Sequence, residues 1–180
     1  MAADASTTHF ALFGLPCSYD VDRAALDSHY RELQRTMHPD RFAGASEHER
    51  RVAMQLAARI NEGYQTLKDP LRRGRYLLEL KGHRLADEQH TTSDGEFLME
   101  QLELREALAG VRAAADPVAA LAGIMDRITA DIDALDGGLR ERLARDDLEA
   151  AAELLMKMQF FRRLQEEATE LELVLDDEQA

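Results

Sequence analysis

His38 and Asp40, separated only by Pro39, are the side chains best placed for chemistry in this chain. An imidazole beside a carboxylate can serve as a general acid–base pair, or it can present a polar, charged tip to a partner. Acid–base catalysis needs a pocket, a shifted pKa and groups that orient a substrate. A loop tip flanked by Arg41 and small polar residues offers none of these. Nor is help at hand from elsewhere. The six histidines are His9, His29, His38, His48, His83 and His90, and none lies three to five residues from another. No HxxxH, HExxH or Cys-His cluster exists, so neither a metal nor any other cofactor is expected. Cys17 is the only cysteine, which excludes an intrachain disulfide and a zinc ribbon and suits a small residue tucked behind Pro16. The pairs Asp20/Asp22 and Asp131/Asp133 read as helix caps or solvated surface. Recognition is therefore favoured over catalysis, and the protein is expected not to be an enzyme.

The elements around the tripeptide set it on a loop. Leu26, Tyr30, Leu33 and Met37 recur at helical intervals before it, and Ala53, Leu56, Ile60, Tyr64 and Leu67 do so after it. Proline at 39 lacks an N–H and disfavours helical geometry just before it, so the first of these helices must stop there. Ser46 with Glu49 makes a capping box that opens the second. Asp69-Pro70 is an N-cap followed by proline at the first helical position, which starts a third helix over 70–81. Residues 9–15 form a short helix stopped by Pro16, and Asp20 or Asp22 caps the helix ending at Met37. Gly82-His83 closes the third helix, and residues 84–92 are polar and mixed, so 82–92 read as a connection.

Beyond it, Ser93 to Glu96 reads as another capping box, opening a helix to about Ala114. Asp116-Pro117 caps the next, with Leu121, Ile124, Ile128, Ile132 and Leu135 on one face. Gly137-Gly138 weakens that helix by about 1 kcal/mol per glycine relative to alanine. Leu139 and Leu143 nevertheless keep the helical phase, which favours one long helix. Asp146-Asp147 starts the last, carrying Leu154, Met158, Phe161, Leu164, Ala168, Leu171 and Leu175. The fold class is all-α, and three helices with short connections make an antiparallel bundle.

Charge separates the two halves. Residues 1–81 hold twelve Lys+Arg against eleven Asp+Glu, a net of +1, whereas residues 82–180 hold ten against twenty-four, a net of −14. So acidic a second half argues against nucleic acid or an anionic membrane as partner. No apolar run is long enough to span a bilayer, and Met1 to Thr8 resembles neither a signal peptide nor an Arg-rich transit peptide. A cytoplasmic protein is expected.

The helix after Ser93 carries too much apolar surface for one job. At 100° per residue, Phe97, Gln101, Leu104, Leu108 and Val111 fall within about 80° of one another, enough for one core stripe. Leu98, Met99 and Leu102 then point to the opposite side, with Glu103, Arg105 and Glu106. A second apolar stripe rimmed by charge needs a partner, either the N-terminal domain or another protein.

Two resemblances narrow these readings. His38-Pro39-Asp40, the Ile60-Asn61-Glu62-Gly63-Tyr64 run with Leu67 and Asp69-Pro70, and the helix ahead of both resemble a J-domain, which activates DnaK-type ATPase chaperones. Phe10 to Pro16, Tyr76 to Leu80 and Phe97 to Glu106 resemble the HscB family, the J-domain co-chaperones of iron–sulfur cluster biogenesis. That likeness covers nearly the whole chain. It implies a J-domain over 9–81, the connection 82–92 and a bundle over 93–178, at an angle that makes an L in outline. It also implies two partners, an HscA-like DnaK-type ATPase chaperone and an IscU-like cluster-assembly scaffold. By resemblance, Arg31, Arg35 and Arg41 steer the chaperone contact, and His38, Pro39 and Asp40 trigger hydrolysis. Arginine stands at 41 where lysine is commoner. Leu98, Met99, Leu102, Glu103, Arg105, Glu106 and Phe160 match scaffold-contact positions, while Ala109-Gly110 stand where a further acidic contact is expected. The alternatives are a J-domain co-chaperone for a different client and an all-helical hydrolase using the acidic second half.

Overall fold

The computed structural model describes residues 8–37, 44, 46–83 and 94–179. Among them all regular structure is helical and no strand occurs. The chain divides into two compact units, Met1–Leu85 and Ala86–Ala180. Most of the expected connection, residues 84–92, lies outside the described residues, as do His38 to Arg41 and Ser93.

In the first unit, α1 (His9–Leu12) is capped by the Thr8 hydroxyl, which accepts from the Ala11 N–H. It is shorter than the sequence suggests, and Pro16 is not the stop. Gly14 turns left-handed at φ 61°, and the Leu15 N–H closes back on the Phe10 carbonyl at 2.9 Å. That pairing, with the Gly14 N–H on the Ala11 carbonyl, satisfies the last free carbonyls, and the helix ends at Leu12, four residues before the proline. Of the two candidate caps, Asp22 serves α2 (Arg23–Met37), its carboxylate accepting from the Ala25 N–H at 3.0 Å. The capping box at Ser46 and Glu49 opens α3 (Glu47–Lys68), and Asp69 caps α4 (Pro70–Leu80).

Phe10, Phe13, Leu26, Ile60, Leu67 and Leu78 are fully buried between these helices. The Gly63 of the Ile-Asn-Glu-Gly-Tyr run has a steric cause. A Cβ there would lie 3.0 Å from His9 Nδ1 and 3.1 Å from the Phe13 ring. Any side chain there would press on both rings, and glycine accommodates the close approach of α1 to α3. Cys17, expected to tuck behind Pro16, is exposed; partial desolvation still raises its thiol pKa, which leaves it a weak nucleophile.

The second unit holds α5 (Gly95–Gly110), α6 (Pro117–Ala144) and α7 (Leu148–Gln179). The cap of α5 is Asp94, whose carboxylate accepts from the Phe97 N–H at 3.1 Å. The helix stops at Gly110, short of the expected Ala114. A single 3-10 turn, Val111–Ala113, follows and buries Val111 against Leu121, Ala168 and Leu175. Helix α6 runs unbroken through Gly137-Gly138. Gly138 is a contact rather than a weak point, since a Cβ there would lie 3.2 Å from Leu154 Cδ1 on α7. Phe97, Leu104, Ile128, Ile132, Phe161 and Leu164 form the centre of this core, one stripe from each of three helices. No helix among the described residues is long and apolar enough to cross a membrane.

Candidate functional site

The hairpin of α2 and α3 is held by polar and aromatic contacts near its middle. Tyr30 and Tyr64 stack with ring centroids 3.9 Å apart. The Tyr30 hydroxyl donates to Asn61 Oδ1 at 2.9 Å, and Gln34 donates to the same oxygen at 2.6 Å. The Tyr64 hydroxyl donates to Asp27 at 2.9 Å, and this bond to a carboxylate raises the Tyr64 pKa. The motif residues Asn61 and Tyr64 thus bind the two helices together. Arg31 and Arg35 lie exposed on α2. Arg23, two turns earlier on α2, is committed to the fold: it donates to the Lys68 carbonyl at the end of α3 and pairs with Asp27.

On the bundle, α5 divides as its angular spacing requires. Phe97 and Leu104 are buried, whereas Leu98, Met99 and Leu102 are 42%, 58% and 51% exposed. Glu103, Arg105 and Glu106 are exposed beside them, and so are Ala109 and Gly110. Phe160 is half-buried at the edge of the α7 stripe, with Phe161 inside it. Phe97 meets the Phe160 ring edge-on, at 5.7 Å and 86°, and the Arg105 guanidinium stands 5.6 Å over the Phe160 ring. Two of the seven scaffold-contact candidates, Arg105 and Phe160, therefore touch each other.

Beside this face lies an open cleft of about 470 Å³, lined among others by Asp94, Phe97, Glu100, Asp131, Lys157 and Phe161. Lys157 pairs with Asp94, which holds the Asp94 carboxyl below its usual range, and Arg127 pairs with Glu100 at 3.0 Å. Asp131 is raised above the usual carboxylate range, by burial first and then by Glu100, against the pull of Arg127. No histidine, serine or cysteine among the described residues lines the cleft. Among the described residues no group of three or more His, Cys, Asp or Glu is arranged to hold a metal ion. No spacing or motif points to Lys157. It lies 63 residues from Asp94, and the capping box expected over Ser93 to Glu96 marks a helix start there, one residue before the actual cap, and nothing of the pair.

Residues 93–169 match the family model of the HSCB C-terminal oligomerisation domain. The chain is 46% identical over 164 residues to the co-chaperone protein HscB homolog of Vibrio cholerae strain M66-2, covering 91% of this chain and 96% of the relative. It belongs to the HscB family of co-chaperones. A solved structure of the chaperone HscB from Vibrio cholerae matches with a TM-score of 0.86 at 44% identity, over 94% of this chain and 99% of that one. The crystal structure of human co-chaperone protein HscB matches with a TM-score of 0.87 at 32% identity, over 96% and 85%. These HscB relatives are named co-chaperones and not enzymes, which removes the hydrolase alternative.

Proposed function

We propose that this HscB-family chain binds an IscU-like scaffold and presents it to an HscA-like DnaK-type chaperone in the cytoplasm, stimulating that chaperone's ATPase and promoting cluster transfer. The J-domain over 9–81 meets the chaperone and the bundle over 93–178 meets the scaffold. The observation that carries the reading is the second apolar stripe of α5, exposed as Leu98, Met99 and Leu102 and rimmed by Glu103, Arg105 and Glu106. Exposed apolar surface with a charged rim is the anatomy of an interface. Phe160 extends it from the neighbouring helix, its ring held against Arg105.

The chaperone contact falls to Arg31, Arg35 and Arg41, which attract an acidic surface, and to His38, Pro39 and Asp40, which act on the ATPase. The mechanism is effective concentration. One chain holding client and ATPase together makes capture intramolecular, so hydrolysis is triggered with the client in place. Purified IscU-type scaffold titrated with the full chain tests the reading, beside the HscA-type ATPase rate measured with scaffold alone, with this chain alone and with both. Saturable binding and a rate with both that exceeds either alone are expected. No binding by calorimetry, or a rate indifferent to the chain, overturns it.

A further inference from the structure

We propose that Lys157 is a positioning residue for the scaffold-binding face, setting the rotation of α5 against α7 on which the Phe160 edge of that face depends. The inference rests on the scaffold reading above and concerns a residue outside the proposed contact set.

Helix α5 has an unusual need for such a device. An ordinary amphipathic helix is held in rotation by its single apolar stripe. Helix α5 carries apolar residues on opposite sides, Phe97 and Leu104 inward and Leu98, Met99 and Leu102 outward, so apolar burial discriminates weakly between one rotation and another. Its first residue is Gly95, which adds no side chain to resist a turn. Glu100 supplies part of the resistance through its pair with Arg127 on α6, and Lys157 supplies the part that falls on α7. Its ammonium bonds the carboxylate of the Asp94 cap and stands 5.1 Å over the Phe97 ring. Phe97 in turn meets Phe160 edge-on, and Phe160 lies under Arg105, two turns farther along α5. Cation, ring, ring and cation thus alternate between the two helices. Lys157 and Phe160 are three residues apart on one face of α7, and Phe97 and Arg105 bracket them on α5. Cations over ring faces and edge-on rings each add specific geometry to simple packing. A face ordered before binding loses less entropy when the partner arrives.

Lys157→Gln removes the charge and keeps much of the length, and Lys157→Arg keeps the charge and can lie over a ring. Lys157→Gln is expected to weaken IscU-type scaffold binding about five- to tenfold, with Lys157→Arg within about twofold of the parent chain. In a Phe160→Ala background the Gln substitution should add almost nothing, because the two act through one path. In the free protein, the aromatic NMR signals of Phe160 should move in the Gln variant and return in the Arg variant. An equal loss in the Phe160→Ala background, unmoved Phe160 signals, or parental affinity in the Gln variant would each overturn the proposal. A parent chain that does not bind scaffold overturns the scaffold reading and the positioning role with it, and the ring signals, read without scaffold, tell that failure from a failure of the Lys157 path.

Discussion

Between α2 and α3 the contacts that fix the helices are mainly hydrogen bonds, Tyr30 and Gln34 to Asn61, Tyr64 to Asp27, and Arg23 to the Lys68 carbonyl, around one stacked ring pair, Tyr30 on Tyr64. Between α5 and α7 they are aromatic and cationic: Lys157 over Phe97, Phe97 against Phe160, Arg105 over Phe160. The outer surfaces differ in the opposite sense. The exposed side of α2 carries Arg31, Glu32 and Arg35 and no large apolar residue, while that of α5 carries Leu98, Met99 and Leu102. A charged surface acts at a distance and weakly in salt; an apolar one acts only on contact and hardly feels salt. Two partners recognised in these two ways can be held by one chain without competing for the same chemistry.

The sharpest way to separate the two regions is His38→Gln. Stimulation of the HscA-type ATPase should be lost, with scaffold affinity and helical content as in the parent chain. A collapse of the circular dichroism signal would instead make His38 part of the fold and blur the division.

Within the second region, the comparison can be pressed residue by residue along α5. Leu104→Ala should destabilise the bundle by about 2–5 kcal/mol, the cost of truncating a buried leucine. Leu98→Ala, Leu102→Ala and Phe160→Ala should each weaken scaffold binding by about 1–3 kcal/mol, roughly five- to over a hundredfold. The two exposed leucines should do so at little cost in melting temperature. Thermal melts beside scaffold titrations distinguish the groups. If the Leu98 and Leu102 variants melt as early as the Leu104 variant and bind normally, the outer stripe belongs to the fold and the scaffold site lies elsewhere.

Salt should then tell the two contacts apart. Arg31→Ala with Arg35→Ala is expected to weaken the chaperone contact about three- to tenfold at low salt, as exposed charges do in small numbers. The difference should shrink as salt rises, because screening acts within about 8 Å at physiological ionic strength. Scaffold binding by the same variant should be unchanged. A chaperone contact indifferent to salt would show the arginine side of α2 to be solvated surface only.

How much of this was legible in advance follows the range of each interaction. Caps are local, so Asp22, Ser46 with Glu49, Asp69 and Asp116 marked their helix starts correctly from a few neighbouring residues. The two faces of α5 were legible for the same reason, since 100° per residue sorts side chains without knowing what they meet. The failures are contacts between distant residues. Gly63 and Gly138 are explained by His9, Phe13 and Leu154, which no spacing rule connects to them. The early end of α1 turned on Gly14 adopting a left-handed conformation, while Pro16 was the more conspicuous signal. The Asp94–Lys157 pair and the crowded Asp131 were invisible because their partners come from other helices.

Asp131 offers the smallest and most discriminating test, because it and Asp27 sit in opposite surroundings. Asp27 accepts from Tyr64 and pairs with Arg23, so its charge is welcome. Asp131 is partly buried near Glu100, with Arg127 as its counter-charge only at 4.0 Å, and its pKa is raised by burial first and by Glu100 second. A raised carboxyl holds its proton in the folded chain at a pH where the unfolded chain has released it. Stability therefore falls as pH rises from the ordinary aspartate value of 3.8 through the raised one, and stays lower above it. Asp131→Asn removes that penalty and should raise the melting temperature at pH 7 by about 1–3 °C, a gain of the size expected at a surface position. The gain should shrink as pH is lowered toward the ordinary aspartate range, through which the parent Asp131 gains its proton. Asp27→Asn should have the opposite sign at pH 7, a slight loss. If Asp131→Asn instead melts earlier at pH 7, the Arg127 attraction outweighs burial, and the charge of Asp131 is as welcome as that of Asp27.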